Sequence, residues 1–192
     1  MRTVKFLAQV DEQKCTGCGT CQIVCPTEAI KVIKKKAIVD AEKCISCPNC
    51  SDSCPESAIV MIRRPVPKKL YVDSREVDQT ELKELCLKAN LHPHQWGCMC
   101  NATRVREVAA AVMKGAKTLE EIALMTGIRS GCTAYCVQHM LRLLKANGVA
   151  VKEPKGHRWY DSTQTIWDLS QKVQQKHPGH FFEEDKKVFR KF

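Results

Sequence analysis

Two stretches share one cysteine rhythm: Cys15-Thr-Gly-Cys18-Gly-Thr-Cys21-Gln-Ile-Val-Cys25-Pro26 and, at an offset of 29 residues, Cys44-Ile-Ser-Cys47-Pro-Asn-Cys50-Ser-Asp-Ser-Cys54-Pro55. No other feature restricts the fold as tightly. Three cysteines three residues apart on a tight loop can turn their sulfurs to three corners of one iron–sulfur cubane, and a fourth, displaced along the chain, reaches a neighbouring cubane. Zinc also accepts four thiolates, but it needs four cysteines per site and gives no reason for the paired Cys-Pro endings. The repetition extends beyond the cysteines. Asp11 matches Asp40, Lys14 matches Lys43, and Ala29-Ile30 matches Ala58-Ile59 at the same offset, the mark of a duplicated half-domain.

This stretch resembles the bacterial two-cluster ferredoxins. The resemblance, carried over position by position, implies two 4Fe-4S clusters, one on Cys15, Cys18, Cys21 and Cys54, the other on Cys44, Cys47, Cys50 and Cys25. Period-two alternation predicts strands through Val4, Phe6 and Ala8, through Ile30 and Val32, from Ile38, and over 58–62. With a short helix after each CxxC, the expected layout is a compact α+β sandwich in which Ile23, Val24, Ile30, Ile45 and Ile59 keep water from the sulfurs. The second motif departs from the family in one respect. Pro48 stands where the first motif has Gly19, so one possible N–H to sulfur bond is absent there, and the cluster of Cys44, Cys47 and Cys50 is expected to have the lower potential.

A chain of 192 residues has room for one domain or two small ones, and each small core would rely on its clusters as cross-links. Thirteen cysteines would suit a secreted disulfide framework, but the first ten residues lack an apolar leader core and cleavage signal. No run approaches a membrane span. A soluble cytoplasmic protein, where thiols stay available to metal, is the expectation. The formal charge of +10 invites a nucleic-acid partner, but twelve thiolates holding three cores of roughly 2+ each would bring it to about +4.

Lys34, Lys35 and Lys36 fall in the presumed hairpin turn, and Arg63, Arg64, Lys68 and Lys69 surround Pro65 and Pro67 in a stretch that reads as a stiff, solvated linker or as a docking face for an acidic partner. Asp78 then caps a helix with apolar positions Leu82, Leu85 and Leu91, where Cys86 reads as a small buried hydrophobe. His92 and His94 flank Pro93 as loop residues or as ligands.

Cys98-Met-Cys100 and Cys132-Thr-Ala-Tyr-Cys136 form a second constellation. Between them Thr103 is a candidate N-cap for a helix over 104–114, and Thr118 to Glu121 is a capping box opening a helix that ends at Gly127. A third helix is expected over 133–147. A CxC pair on a loop, a helix-turn-helix spacer and a close cysteine pair at a helix start resemble the bacterioferritin-associated ferredoxin family. That resemblance implies a 2Fe-2S cluster on Cys98, Cys100, Cys132 and Cys136. The family's second pair is normally CxxC and here it is CxxxC, though positions i and i+4 still share a helix face. Zinc and free thiols are the other readings. The same residues also resemble a winged helix-turn-helix, in which Arg129, Ser130 and Gln138 would face a DNA groove and the hairpin would include Gly156 to Tyr160.

The sequence thus predicts an α+β chain: a two-cluster ferredoxin fold (1–64), a linker (65–75), a small all-α helix-turn-helix domain (76–150) and an extended C-terminal tail for docking or packing (151–192). No nucleophile–base pair, phosphate loop, flavin or nicotinamide fingerprint is present, so the chain is not expected to be catalytic alone. The expected function is that of an electron-transfer subunit linking a catalytic oxidoreductase subunit, flavin- or molybdenum/tungsten-dependent, to another carrier. A free-standing ferredoxin and an iron–sulfur DNA-binding regulator are the alternatives.

Overall fold

The computed structural model describes residues 2–151 and 165–190. Both helices and strands are present, as the pattern predicted. β1 (Arg2–Val10) leads through the first cysteine loop to α1 (Thr20–Val24), the hairpin β2 (Ile30–Ile33) and β3 (Lys36–Val39), the second cysteine loop, α2 (Asn49–Asp52) and β4 (Ile59–Leu70). β1 pairs antiparallel with β4, and β2 with β3. The duplication is visible in the hydrogen bonds. The Asp11 N–H donates to the Ala58 carbonyl and the Asp40 N–H to the Ala29 carbonyl, both at 2.7 Å. In each half the aspartate carboxylate then accepts from the backbone two residues on, at 2.9 Å.

β4 is longer than the alternation indicated. Its ladder slips between Val4, opposite Lys68, and Phe6, opposite Arg63. The surplus residues, Pro65 and Pro67 among them, bulge where no ladder N–H is required. The stretch expected to be linker from residue 65 is therefore strand as far as Leu70. Ile30, Ile45 and Ile59 are buried as expected, whereas Ile23 is half exposed and shields little.

The second body follows. α3 (Gln79–Lys88) is capped by Asp78, whose carboxylate accepts from Thr80 and Glu81. A short ladder joins β5 (Trp96–Cys98) to β6 (Thr103–Arg104), and α4 (Val105–Met113), α5 (Leu119–Thr126) and α6 (Tyr135–Ala146) complete it. Thr103 lies in β6 and does not cap α4; there the Glu107 carboxylate reaches back to the Arg104 N–H at 3.0 Å. The capping box of Thr118 and Glu121 and the left-handed Gly127 bound α5 as expected. Val105, Val108, Leu119, Ile122, Met140 and Leu143 fill the core, with Cys86 wholly buried among them.

The two bodies meet where Val4, Ile45 and Leu70 pack with Leu124. The tail is not extended over its described part. It carries α7 (Gln171–Lys176) and α8 (Phe182–Arg190), and Phe189 packs edge-on against Trp167, ring centroids 5.1 Å apart, and His92, 6.5 Å. Aromatic faces brought together at helical spacing favour folding back.

Candidate metal centres

Cys15, Cys18, Cys21 and Cys54 line one cavity, closed by Val32, Ala37, Ala58 and Ile59, with about 340 Å³ of free space partly open to solvent. Cys54 arrives from the second motif and lines this cavity beside the three cysteines of the first. Four sulfurs facing one apolar-walled space suit a multi-iron core. Gly17 makes the cavity's loop possible. Its φ is +74°, and a Cβ there would lie 2.3 Å from the Lys35 carbonyl oxygen, so the loop seats directly on the β2–β3 turn. The Cys18 sulfur is exposed, and Thr20, whose hydroxyl pairs with it at 3.5 Å, holds its pKa down.

Cys25, Cys44, Cys47 and Cys50 form the second set, all buried. Burial first, and the charges of neighbouring cysteines including Cys25 and Cys44 second, together push the Cys47 and Cys50 thiols up to about 12. These thiols would stay protonated in the empty site and release their protons to solvent on binding a metal. The displaced cysteines of the two sets are held alike. The Ala29 N–H donates to the Cys25 sulfur at 3.2 Å, and the Ala58 N–H to the Cys54 sulfur at 3.3 Å.

A cation caps each loop, which the sequence reading missed. Lys36 Nζ donates to the carbonyls of Glu12 and Cys15, at 2.5 and 2.7 Å. Arg64 Nη2 donates to the carbonyls of Ala41 and, at 2.9 Å, Cys44. Ala41 and Cys44 are the repeat equivalents of Glu12 and Cys15. The two donors differ in residue type and stand one residue off the repeat, so the pattern cannot be read from the sequence. Lys68 likewise donates to the Glu42 carbonyl. Arg64 and Lys68, expected in a solvated linker, thus tie β4 to the second cysteine loop.

Cys98, Cys100, Cys132 and Cys136 also come together. Cys136 sits in the first turn of α6 and its thiol donates to Cys98. That bond holds Cys98 down to about 6, while the shared proton and burial push Cys136 up. The N–H groups of Tyr135 and Ala134, at the start of α6, and the Cys100 thiol hold Cys132 down, as a helix N-terminus does for an anion. Gly131 lets Cys100 approach: a Cβ on it would lie 2.7 Å from the Cys100 Cβ. The expectation that Cys132 and Cys136 share a helix face does not hold, because Cys132 precedes the helix and only Cys136 lies on it.

Among the described residues no three Cys, His, Asp or Glu side chains crowd onto one metal ion; thiolates around a multi-iron core stand farther apart than around a single zinc. Arg129 and Ser130 are 9% and 6% exposed, facing the interior and not a DNA groove. The hairpin of the winged-helix reading, Gly156 to Tyr160, lies outside the described residues.

Residues 8–61 match the family model of a 4Fe-4S dicluster domain. Residues 98–146 match that of a BFD-like 2Fe-2S binding domain. A 4Fe-4S dicluster domain is thus followed by a BFD-like 2Fe-2S binding domain in one chain. It is also 47% identical over 32 residues to a subunit of the ion-translocating oxidoreductase complex of Methanosarcina acetivorans, a match covering 17% of this chain and 12% of that protein. No solved structure matches it. Among the described residues no helix is long and apolar enough to cross a membrane.

Proposed function

We propose that the chain is the electron-transfer subunit of an oxidoreductase complex, relaying electrons between a catalytic redox subunit, flavin- or molybdenum/tungsten-dependent, and another carrier. Cys15, Cys18, Cys21 and Cys54 hold one 4Fe-4S cluster, Cys25, Cys44, Cys47 and Cys50 a second, and Cys98, Cys100, Cys132 and Cys136 a 2Fe-2S cluster. When bound, these clusters supply reversible one-electron storage. The observation that supports the reading is that the loops carrying the three cysteine sets are joined to one another by shared packing and hydrogen bonds. The Cys25 set shares its motif and core with the Cys15 set, and Arg2 and Arg129 join it to the Cys98 set. Residues Ile30, Ile45 and Ile59 exclude water from those loops, and Cys18 brings one set to the surface. The domain limits proposed are a 4Fe-4S unit ending with β4 and a 2Fe-2S unit from about Gln79 to Val149. The likeness to part of an ion-translocating oxidoreductase complex favours a place in a complex over a free-standing carrier.

Anaerobic purification with iron and sulfide analysis, followed by mass identification of co-purifying proteins, tests this. The expected result is both cluster types and a stoichiometric redox subunit. Material that holds only zinc, or holds clusters but binds sequence-specific DNA and no redox protein, overturns it.

A further inference from the structure

The seam between the two iron–sulfur modules contains two guanidinium groups, each in contact with both sides. Arg2 enters from β1. Its Nη1 donates to Ser130 Oγ and its Nη2 to the Ser46 carbonyl at 2.9 Å. Ser46 lies between Cys44 and Cys47, and Ser130 two residues before Cys132. Arg129 enters from the other side. Its Nη1 donates to the Pro26 carbonyl at 3.3 Å, beside Cys25, and pairs with Glu120 at 3.1 Å. The Arg129 backbone N–H meanwhile points at the sulfurs of Cys98 and Cys136. The loops so joined carry the second cubane set and the 2Fe-2S set; these bonds do not touch the Cys15 loop.

The fold makes room for this arrangement. The Arg2 stem crosses Gly127 so closely that a Cβ there would lie 2.8 Å from the Arg2 Cδ. Beside it Val4, Ile45 and Leu70 meet Leu124, so the seam is apolar and charges in it are weakly screened. The bonds to Ser46 and Ser130 place the Arg2 guanidinium beside both cysteine sets, where burial pushes its pKa down and Cys47, Cys98 and Cys44 push it up. Two anionic centres side by side repel, and adding an electron to either makes this worse. A cation between them offsets both. Glu120 neutralises much of the Arg129 charge, so Arg2 supplies the field and Arg129 the geometry.

We propose that Arg2 and Arg129 are positioning residues that bridge the seam, joining the Cys98 set and the Cys25 set into one electrostatically coupled pair and leaving the Cys15 set outside it. This rests on the electron-transfer reading above.

The test is anaerobic redox titration of the full chain, with paramagnetic resonance to separate the three centres. In Arg2→Gln the 2Fe-2S midpoint and one cubane midpoint should both move negative while the other cubane stays; Arg2→Lys, which keeps the charge, should largely restore them. In Arg129→Lys the spin–spin broadening between the reduced 2Fe-2S centre and its neighbour should narrow, with smaller changes in midpoint. Should the Arg129 variant fail to fold, the Arg2 pair decides alone. Equal shifts of both cubanes, or an unmoved 2Fe-2S midpoint in Arg2→Gln, overturns the proposal with the electron-transfer reading intact. A wild-type chain that takes up no iron or sulfide overturns both.

Discussion

Gly17 offers the sharpest test of how the first cysteine loop is built. Gly17→Ala puts a methyl group 2.3 Å from the Lys35 carbonyl oxygen, 2.6 Å from its carbon and 2.7 Å from the Lys35 Cα. Ordinary contact is about 3.5 Å, so backbone must retreat by roughly 1 Å, and all three obstacles are main chain. Gly148 supplies the control. Its φ is +76° against +74°, and a Cβ there meets nothing within 4 Å. Gly148→Ala therefore reports left-handed strain alone, about 1–2 kcal/mol. Gly17→Ala carries the same strain, about 1–3 kcal/mol of overpacking, and a disturbance of the bonds from Lys36 to Glu12 and Cys15. The excess over the control is about 2–4 kcal/mol, which for a chain of this size lowers the anaerobic melting midpoint by a further ~4–16 °C. Both variants are melted at one scan rate, since cluster loss makes unfolding irreversible. The cubane signal should also fall to about half in Gly17→Ala, because one of two sites is opened. A Gly17→Ala protein as stable and as fully loaded as Gly148→Ala refutes the close approach of the hairpin turn to the loop.

Further outcomes follow from the other loops. Gly131→Ala should displace Cys100 and abolish the 2Fe-2S signal while sparing both cubanes, read by paramagnetic resonance; an unchanged 2Fe-2S signal contradicts the packing of Gly131 on Cys100. Arg64→Met should lower the potential of one cubane and Lys36→Met that of the other, since each removes a cation from one loop; a redox titration in which both variants move the same cubane refutes the equivalence. Pro48→Gly, at a residue whose φ of −79° glycine adopts freely, restores a backbone N–H and should raise the midpoint of the Cys44, Cys47 and Cys50 cluster, so an unmoved value sinks that reasoning.

The cysteine rhythm made the first body legible because a metal-binding loop constrains residue spacing more strongly than packing does. Strand positions followed from alternation over 30–33 and 59–62, where one face is buried. The same signal stopped short at Arg63, because the bulge at Pro65 to Pro67 breaks the period while the pairing resumes at Lys68. Ile23 misled for a related reason: on a helix as short as Thr20–Val24 only Cys21 is buried, so apolar character alone does not fix the face. In the second body the caps at Asp78 and Thr118 were local and readable. Thr103 was not, since its pairing with Cys98 depends on a partner strand. Arg129 and Ser130 read as groove-facing residues because a helix-turn-helix spacer is common to both families; only the packing against Arg2 and Pro26 distinguishes them.

The charge of the chain makes the same point about what a sum conceals. A formal +10 is an argument for an acidic partner only when the cations are free to meet one, and several are committed inside the protein. Lys36 and Arg64 direct their hydrogen bonds to carbonyls of the two cysteine loops, Lys68 reaches Glu42, and Arg2 and Arg129 lie in the seam. Each sits where thiolates and cluster cores would accumulate negative charge. A buried or half-buried cation is costly to desolvate unless an anion compensates it; Glu120 does this for Arg129 and Glu42 for Lys68, whereas among the described residues Arg2, Lys36 and Arg64 bond only hydroxyl or carbonyl oxygens and are favourable in a loaded chain and strained in an empty one. Iron–sulfur uptake and docking of the two modules should therefore be coupled. Stripping the clusters with chelator under anaerobic conditions is expected to loosen the seam, raising protease access at Gly127 to Gly131 before the helical core of the second body opens, whereas simultaneous cleavage throughout the chain would argue that the seam does not depend on them.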